Sequence, residues 1–166
     1  MNDKKLKTLV LSGLFAALCC VGTLIYIPSL STNGYINLGD AFVLSSGFVL
    51  GPLWGALAGG IGSMITDLLL GYTVYAPATL IIKGLMAFTA AITFNALNKK
   101  TPLKSFSARL IASIPAEIIM ALGYLLYDAY ILGYGPAALA SVPGNIIQAI
   151  AGILVVSLLS KFIIKS

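Results

Sequence analysis

Histidine is absent from this 166-residue chain, and its only two cysteines, Cys19 and Cys20, are adjacent. Neighbouring residues of a helix point in different directions, so these thiols are poorly placed for a disulfide, and they match no zinc-ligand spacing. Without histidine there is no Ser-His or Cys-His pair for nucleophilic catalysis. The sequence also lacks the G-x-x-x-x-G-K-[ST] loop that cradles ATP phosphates. These absences argue against an enzyme, a metal site, a resident cofactor and independent ATP hydrolysis.

Charge is also scarce, since charged residues make up 9% of the chain and hydrophobic residues 59%. Soluble domains contain about 25% charged residues. A water-soluble fold could not bury this much apolar surface, so we expect the chain to lie in lipid. At roughly 20 residues per span, its length holds five to seven helices and no separate soluble domain. The predicted fold is a single all-α transmembrane domain over residues 1–166.

Proline and glycine divide the apolar sequence into six predicted spans. Gly51-Pro52 separates the second from the third, because the residue before a proline disfavours helix. These two spans are short for two full crossings, so we expect a break or a tilt there. The predicted spans are 7–27, 38–50, 53–70, 78–97, 108–130 and 140–164, with a polar loop at 29–37 and a basic loop at 98–107.

Basic residues gather at the start of the chain, between the fourth and fifth predicted spans, and at the end of the chain. With six spans these three regions share one side of the membrane, and positive charge marks that side as cytoplasmic. We therefore expect both termini in the cytoplasm, and we attribute the formal charge of +5 to topology rather than to nucleic-acid binding. The residues are Lys4, Lys5, Lys7, Lys99, Lys100, Lys104, Arg109, Lys161 and Lys165.

Five ionisable residues fall in the outer half of the predicted bundle or at its midplane: Asp40, Asp67, Lys83, Glu117 and Asp128. Ionisable groups in lipid are costly and are functional by default. None lies in the cytoplasmic half, which favours an outward-opening cup over a proton path across the bilayer. Asp67 and Lys83 lie at similar depth, so either they form a structural ion pair or Lys83 contacts a ligand. Asp40 and Asp128 are also suited to capping or solvating helix ends.

Small residues at four-residue spacing let helices approach closely. The third span carries Gly51, Gly55, Gly59 and Ser63, which we expect to serve internal packing. The first span carries two such pairs, for which internal packing and an interface with a partner protein are equally open. These pairs are Ser12 with Ala16 and Gly13 with Ala17.

Several stretches of the chain resemble the substrate-binding S components of energy-coupling factor (ECF) vitamin transporters. They are NLGDAF at 37–42, GPLWGALAGGIGS at 51–63, DLLLGY at 67–72, YAPATLIIKGLM at 75–86, and PGNxxQ at 143–148. The resemblance implies a bacterial membrane protein of six helices with a substrate site near the outer face. It also implies association with a transmembrane coupling protein and two ATPase subunits, through small residues of the first helix.

Among these subfamilies the chain looks most like those for pyridoxine or hydroxymethylpyrimidine, because amides, tyrosines and an acid suit a neutral, hydroxylated heteroaromatic ring. Glu117, Asn145 and Gln148 are expected to hydrogen-bond the ligand, and tyrosines to stack on it or close over it. The predicted substrate-binding residues are Asn37, Asp40, Tyr75, Lys83, Glu117, Tyr124, Tyr127, Asn145 and Gln148.

Two rival interpretations remain open at the level of the sequence. The first is a self-sufficient secondary transporter driven by a proton on Asp67 or Glu117. The second is a structural membrane subunit that binds no ligand. Transport without an ATPase partner would favour the first, and a protein that binds no small molecule would favour the second.

Overall fold

The computed structural model describes residues 3–28, 35–100 and 105–163, and six α-helices account for most of them. They are α1 (Asp3–Leu24), α2 (Gly39–Leu50), α3 (Pro52–Leu70), α4 (Ala76–Lys100), α5 (Ser105–Leu126) and α6 (Val142–Ile163). Five helical segments are long and apolar enough to cross a membrane. With 12 residues, α2 is too short to do so, since it measures about 18 Å against a hydrocarbon core of about 30 Å.

The short helix α2 lies at the centre of the bundle. Eight of its residues are buried, and it contacts α1, α3, α4 and α6. Because other helices enclose most of it, its polar residues Asp40, Ser45 and Ser46 are kept from lipid although it does not span the core. Gly51, with φ +81°, then turns the chain directly into α3, which begins at Pro52. The structure thus shows the break that Gly51-Pro52 predicted.

Glycines bring α3 into close contact with three other helices. A methyl group on Gly55 would lie 2.7 Å from the Cα atom of Gly47 on α2, and one on Gly60 would lie 2.6 Å from a carbonyl oxygen of α4. A methyl group on Gly62 would overlap the carbonyl oxygen of Ala16 on α1. Gly55 and Gly59 therefore serve internal packing as predicted. The prediction was wrong for Gly51, which lies in the turn before α3 with no described atom near an added methyl group.

Two short strands follow α1 in place of the last residues of the first predicted span. β1 (Tyr26–Pro28) and β2 (Tyr35–Asn37) pair antiparallel, with Tyr26 opposite Asn37. Aromatic and β-branched residues favour strand pairing, which explains why the chain leaves the helix here. The predicted loop at 29–37 was therefore wrong at its last three residues, and residues 29–34 lie outside the described part of the chain.

The helix α5 continues into a single π-helical turn, Tyr127–Ile131, and a 3₁₀ helix, Gly135–Ser141, precedes α6. In the π turn the backbone N–H of Leu132 donates to the carbonyl of Tyr127 at 3.0 Å. Asp128 lies in this turn and is buried. The basic loop predicted at 98–107 is shorter than expected, because α4 extends to Lys100 and α5 begins at Ser105. Residues 101–104 lie outside the described part of the chain.

Candidate functional site

A polar cavity lies at the end of the bundle where α1, α3 and α5 end and where α4 and α6 begin. Its empty space is about 600 Å³, including the mouth. Apart from Lys83, the basic residues of α1, α4 and α5 lie toward the opposite ends of these helices. The lining residues are Thr23, Tyr35, Ile36, Asn37, Ser63, Asp67, Tyr75, Thr79, Lys83, Tyr124, Asp128, Ser141, Gly144, Asn145 and Gln148.

A buried polar network joins α2, α4, α6 and β2 beside the cavity. Lys83 forms an ion pair with Asp40, and both side chains are almost fully buried. Gln148 donates from Nε2 to Oδ2 of Asp40 at 2.7 Å. Its Oε1 accepts hydrogen bonds from the backbone N–H of Asn37 at 2.8 Å and from Nδ2 of the same residue at 3.2 Å. One glutamine therefore ties the strand β2 to the buried ion pair.

The Lys83–Asp40 pair corrects two sequence predictions. The first is the ion pair considered between Lys83 and Asp67. It does not form, because the ammonium group of Lys83 makes its ion pair with Asp40 on α2. Asp40 also does not cap α2, whose start has no side-chain cap at Leu38. Instead, Oδ1 of Asn37 accepts the N–H of Gly39 at 2.8 Å. The depth comparison behind the first prediction could not place α2, which packs against both of the helices that were compared.

Tyrosine hydroxyls tie the segments around the mouth to buried carboxylates. Tyr35 of β2 donates to Oδ1 of Asp67 on α3. Tyr75, in the α3–α4 connection, donates to Oδ1 of Asp128 at 2.9 Å. Burial first, and then the neighbouring carboxylate, raises the pKa of both phenols well above its ordinary value, so both stay protonated and keep donating.

Aromatic contacts extend these attachments across the mouth. The ring of Tyr35 lies 5.2 Å from that of Tyr26 and 4.7 Å from that of Tyr72. The ring of Tyr75 lies 5.8 Å from that of Tyr127, whose hydroxyl donates to the Val74 carbonyl. Such ring pairs add to the stability conferred by their burial. The β ribbon and the α3–α4 connection are therefore both fixed over the cavity.

Six of the nine residues predicted to bind a substrate line the cavity, and three lie behind its wall. Those on the wall are Asn37, Tyr75, Lys83, Tyr124, Asn145 and Gln148. Asp40 and Tyr127 touch lining side chains through the contacts described above. Glu117 lies beside Asp40 and α6, where a methyl group on Gly152 would be 2.7 Å from its Oε1. Neither carboxylate oxygen of Glu117 has a hydrogen-bond partner in the described part of the chain.

Several lining residues were not among the predicted binding residues. Asp67 had been considered as an ion-pair partner or a proton site, and Asp128 as a group that caps or solvates a helix end. Hydroxyl residues on apolar helices were missed because they give no periodic signal on their own. The polar pairs at i and i+4 on α3 and α4, Ser63/Asp67 and Thr79/Lys83, are the signal that could have found them. The hydroxyl-bearing lining residues that were not predicted to face a cavity are Thr23, Tyr35, Ser63, Thr79 and Ser141.

The two small-residue pairs of α1 face in different directions. Ser12 is buried, and the backbone of Ala16 packs against Gly62 of α3. Gly13 and Ala17 are exposed, and no described atom would lie within 4 Å of a methyl group on Gly13. Exposed apolar side chains continue this second face along the helix, namely Leu6, Val10, Val21 and Leu24. Only the second pair is therefore placed to meet another protein.

The order of the helices, the buried α2 and the cavity at one end define a known class of membrane fold. A solved structure, described as the S component of a bacterial ECF transporter, aligns with a TM-score of 0.68. The alignment covers 95% of each chain at 23% identity. The fold is therefore that of an ECF S component, as the resemblance predicted.

A family model confirms the relationship at the level of sequence. The model for the S component of ECF-type riboflavin transporters matches residues 3–165, and the chain belongs to this family. It is accordingly a multi-pass membrane protein and a transporter subunit rather than an enzyme.

Two relatives extend this comparison. An uncharacterized protein of Pyrococcus woesei is 36% identical over 133 residues, which cover 80% of this chain and 84% of the relative. The thiamine precursor transporter HmpT of Lactococcus lactis subsp. cremoris (strain MG1363) is 29% identical over 166 residues, which cover 98% of this chain and 91% of the relative.

Proposed function

We propose that this protein is the high-affinity capture subunit of an ECF transporter for a small heteroaromatic vitamin or vitamin precursor, with hydroxymethylpyrimidine as the favoured substrate. The cavity is the observation that carries the proposal. It is enclosed by five helices and the β ribbon, and polar groups converge on it from all of them. A purely structural subunit would have no need for so many polar side chains around one space within a membrane.

The relative described as a thiamine precursor transporter supports a pyrimidine more directly than pyridoxine, which the sequence favoured equally. Riboflavin is the second candidate substrate, because the description of the family model names it. Tyr75 and Tyr124 offer aromatic faces to a heteroaromatic ring, and the amides of Asn145 and Gln148 offer donors and acceptors. Lys83 also lines the cavity and adds a positively charged group to these side chains.

For import, the subunit is proposed to work with a transmembrane coupling protein and two ATPase subunits. The exposed face of α1 around Gly13 and Ala17 is the proposed contact with the coupling protein, since small residues allow close helix approach. The proposed topology has six membrane-embedded helices in a single domain, with both termini in the cytoplasm. In that orientation the positive-inside rule places the cavity mouth on the outer side.

Binding of hydroxymethylpyrimidine to Asn145→Ala protein tests the proposed site. Asn145 lines the cavity, and its Nδ2 has no partner among the described residues, so a ligand is expected to use this amide. Loss of one such hydrogen bond is expected to weaken binding roughly 10-fold or more. The measurement is a titration of purified protein in detergent, without partner subunits, by isothermal calorimetry.

Asn95→Ala is the matched control, because Asn95 is exposed on α4, far along the helix from the cavity. It should bind as the unsubstituted protein does. If both variants bind equally well, the cavity is not the binding site. If riboflavin binds and the pyrimidine does not, the family description rather than the relative identifies the substrate.

A further inference from the structure

Four polar atoms on cavity-lining residues have no hydrogen-bond partner in the described ranges. They are Oγ1 of Thr23, Oγ of Ser63, Oδ2 of Asp67 and Nδ2 of Asn145. Thr23, Ser63 and Asp67 are at most 2% exposed. Leaving a buried polar group unsatisfied costs about 1–3 kcal/mol, and more when the group is charged. A bound molecule that satisfied these atoms would therefore gain affinity.

Three of the four atoms belong to one wall of the cavity. Ser63 and Asp67 are separated by one turn on the same face of α3. Thr23 lies near the end of α1, which packs directly against α3. This wall thus carries one carboxylate oxygen and two hydroxyl groups without hydrogen-bond partners among the described residues. The hydroxyl groups can donate or accept, whereas an ionised carboxylate only accepts.

Asp67 is held in position by its other oxygen. Tyr35 of β2 donates to Oδ1, so that oxygen already has a donor. Oδ2 accepts no hydrogen bond from the described residues. The nearby hydroxyl of Thr79 is instead bonded to the hydroxyl of Tyr124 at 2.9 Å. The carboxylate is therefore fixed by the protein at one oxygen and needs a donor at the other.

The cation on the wall is not available to supply that donor. The ammonium group of Lys83 is paired with Asp40 on α2, so its charge is already balanced. Asp128 adds a second carboxylate to the lining, whose Oδ1 accepts from Tyr75. Among the described residues that line the cavity, two are carboxylates, and the one lysine is already paired with Asp40. This balance disfavours phosphate and carboxylate groups on a ligand and favours hydrogen-bond donors.

We propose that Oδ2 of Asp67, on the same wall as Ser63 and Thr23, is a specificity-determining subsite that accepts a hydrogen bond from an amino group or a protonated ring nitrogen of the substrate. The proposal rests on the proposed function and narrows its substrate class to amine-bearing heteroaromatic rings. A ring that presents a carbonyl oxygen at the same position would face the carboxylate with an acceptor and would be rejected.

Two probes that differ only by the 4-amino group test the proposal: 4-amino-5-hydroxymethyl-2-methylpyrimidine and its deamino analogue, 5-hydroxymethyl-2-methylpyrimidine. Unsubstituted protein should bind the amino compound about 10- to 100-fold more tightly, since a hydrogen bond to a charged group contributes roughly 1.5–3 kcal/mol. Asp67→Asn keeps the oxygen that accepts from Tyr35 and turns an amide N–H₂ toward the cavity. This variant should lose the preference or reverse it.

Asp128→Asn is the matched control, because it makes the same substitution at the other carboxylate of the lining. It should alter the affinity for both probes by a similar factor and so keep their ratio. Equal binding of the two probes by unsubstituted protein overturns the proposal while leaving vitamin capture intact. So does an unchanged ratio in Asp67→Asn, whereas failure to bind either probe, pyridoxine or riboflavin contradicts the proposed function itself.

Discussion

Lys83 illustrates how a single charge is stabilised within the apolar bundle. Its side chain is 1% exposed and is paired with Asp40, which Gln148 also contacts. The ammonium group also lies 5.5 Å from the centre of the Tyr124 ring, over which it makes a cation–π contact. Buried pairs are sensitive to the loss of one partner, because the remaining charge is left uncompensated.

Replacing Lys83 with methionine is therefore expected to destabilise the protein strongly. The loss should be about 3–5 kcal/mol, because Asp40 would stay buried without its cation. Adding Asp40→Asn should restore much of this stability, since the amide can still accept from Gln148. Thermal unfolding in detergent, followed by circular dichroism, measures the effect.

Lys7→Met is the matched control for this prediction, because Lys7 is exposed near the start of α1. Its stability should stay within about 0.5 kcal/mol of the original. A Lys83→Met protein as stable as this control would show that the ion pair does not stabilise the fold.

At this scale the sequence located the polar groups but not their partners. Asn145 and Gln148 were predicted to hydrogen-bond a ligand, and both line the cavity. The partner of Lys83 could not be predicted, because it depends on where the short helix α2 packs. The role of Tyr35 could not be predicted either, since it depends on a strand that the sequence suggested was loop.

Among the elements, α1 and α3 share a contact that leaves no room for a side chain. Gly62→Ala is expected to destabilise the protein by about 1–3 kcal/mol, because the added methyl group overlaps the Ala16 carbonyl and forces the helices apart. Gly13→Ala is the matched control, since no described atom would lie near its methyl group. Chemical or thermal unfolding of the two proteins in the same detergent makes the comparison. Equal stability would mean that α1 is not packed on α3 as described.

The exposed face of α1, which carries Gly13 and Ala17, leads to a prediction about transport rather than stability. Gly13→Leu should leave both stability and vitamin affinity unchanged, because the residue is exposed and remote from the cavity. It should nevertheless reduce vitamin uptake in cells or liposomes that contain the coupling protein and ATPases, since a bulky side chain blocks close helix approach. Leu69→Ala, a change at an exposed apolar position of α3, provides a control at another surface. Normal uptake by Gly13→Leu would exclude this face as the coupling surface.

Elements with long apolar sequences were the most predictable part of the fold. Each of the six predicted spans corresponds to an α-helix, and the end of α3 agrees to the residue. The β ribbon was not predicted, because three-residue strands give too short a pattern to distinguish from a loop. The 3₁₀ helix Gly135–Ser141 and the π turn were missed for the same reason.

At the scale of the whole molecule, polarity is divided between the two ends of the bundle. The cavity lies at one end, and the described basic residues near helix termini, including Lys7 and Arg109, lie toward the other. Arg109 is itself buried and lies 5.1 Å from the centre of the Phe94 ring, so it also takes part in packing. This division is consistent with a subunit that captures its substrate at one membrane face and receives energy from partners at the other.

Native mass spectrometry of the purified chain tests capture most directly, with denaturing extraction to identify any compound released. We expect one small heteroaromatic molecule per chain, bound without any partner subunit, and its removal should allow hydroxymethylpyrimidine to rebind one-to-one. A chain that carries no small molecule and gains none from added hydroxymethylpyrimidine, pyridoxine or riboflavin would contradict the proposed role in substrate capture.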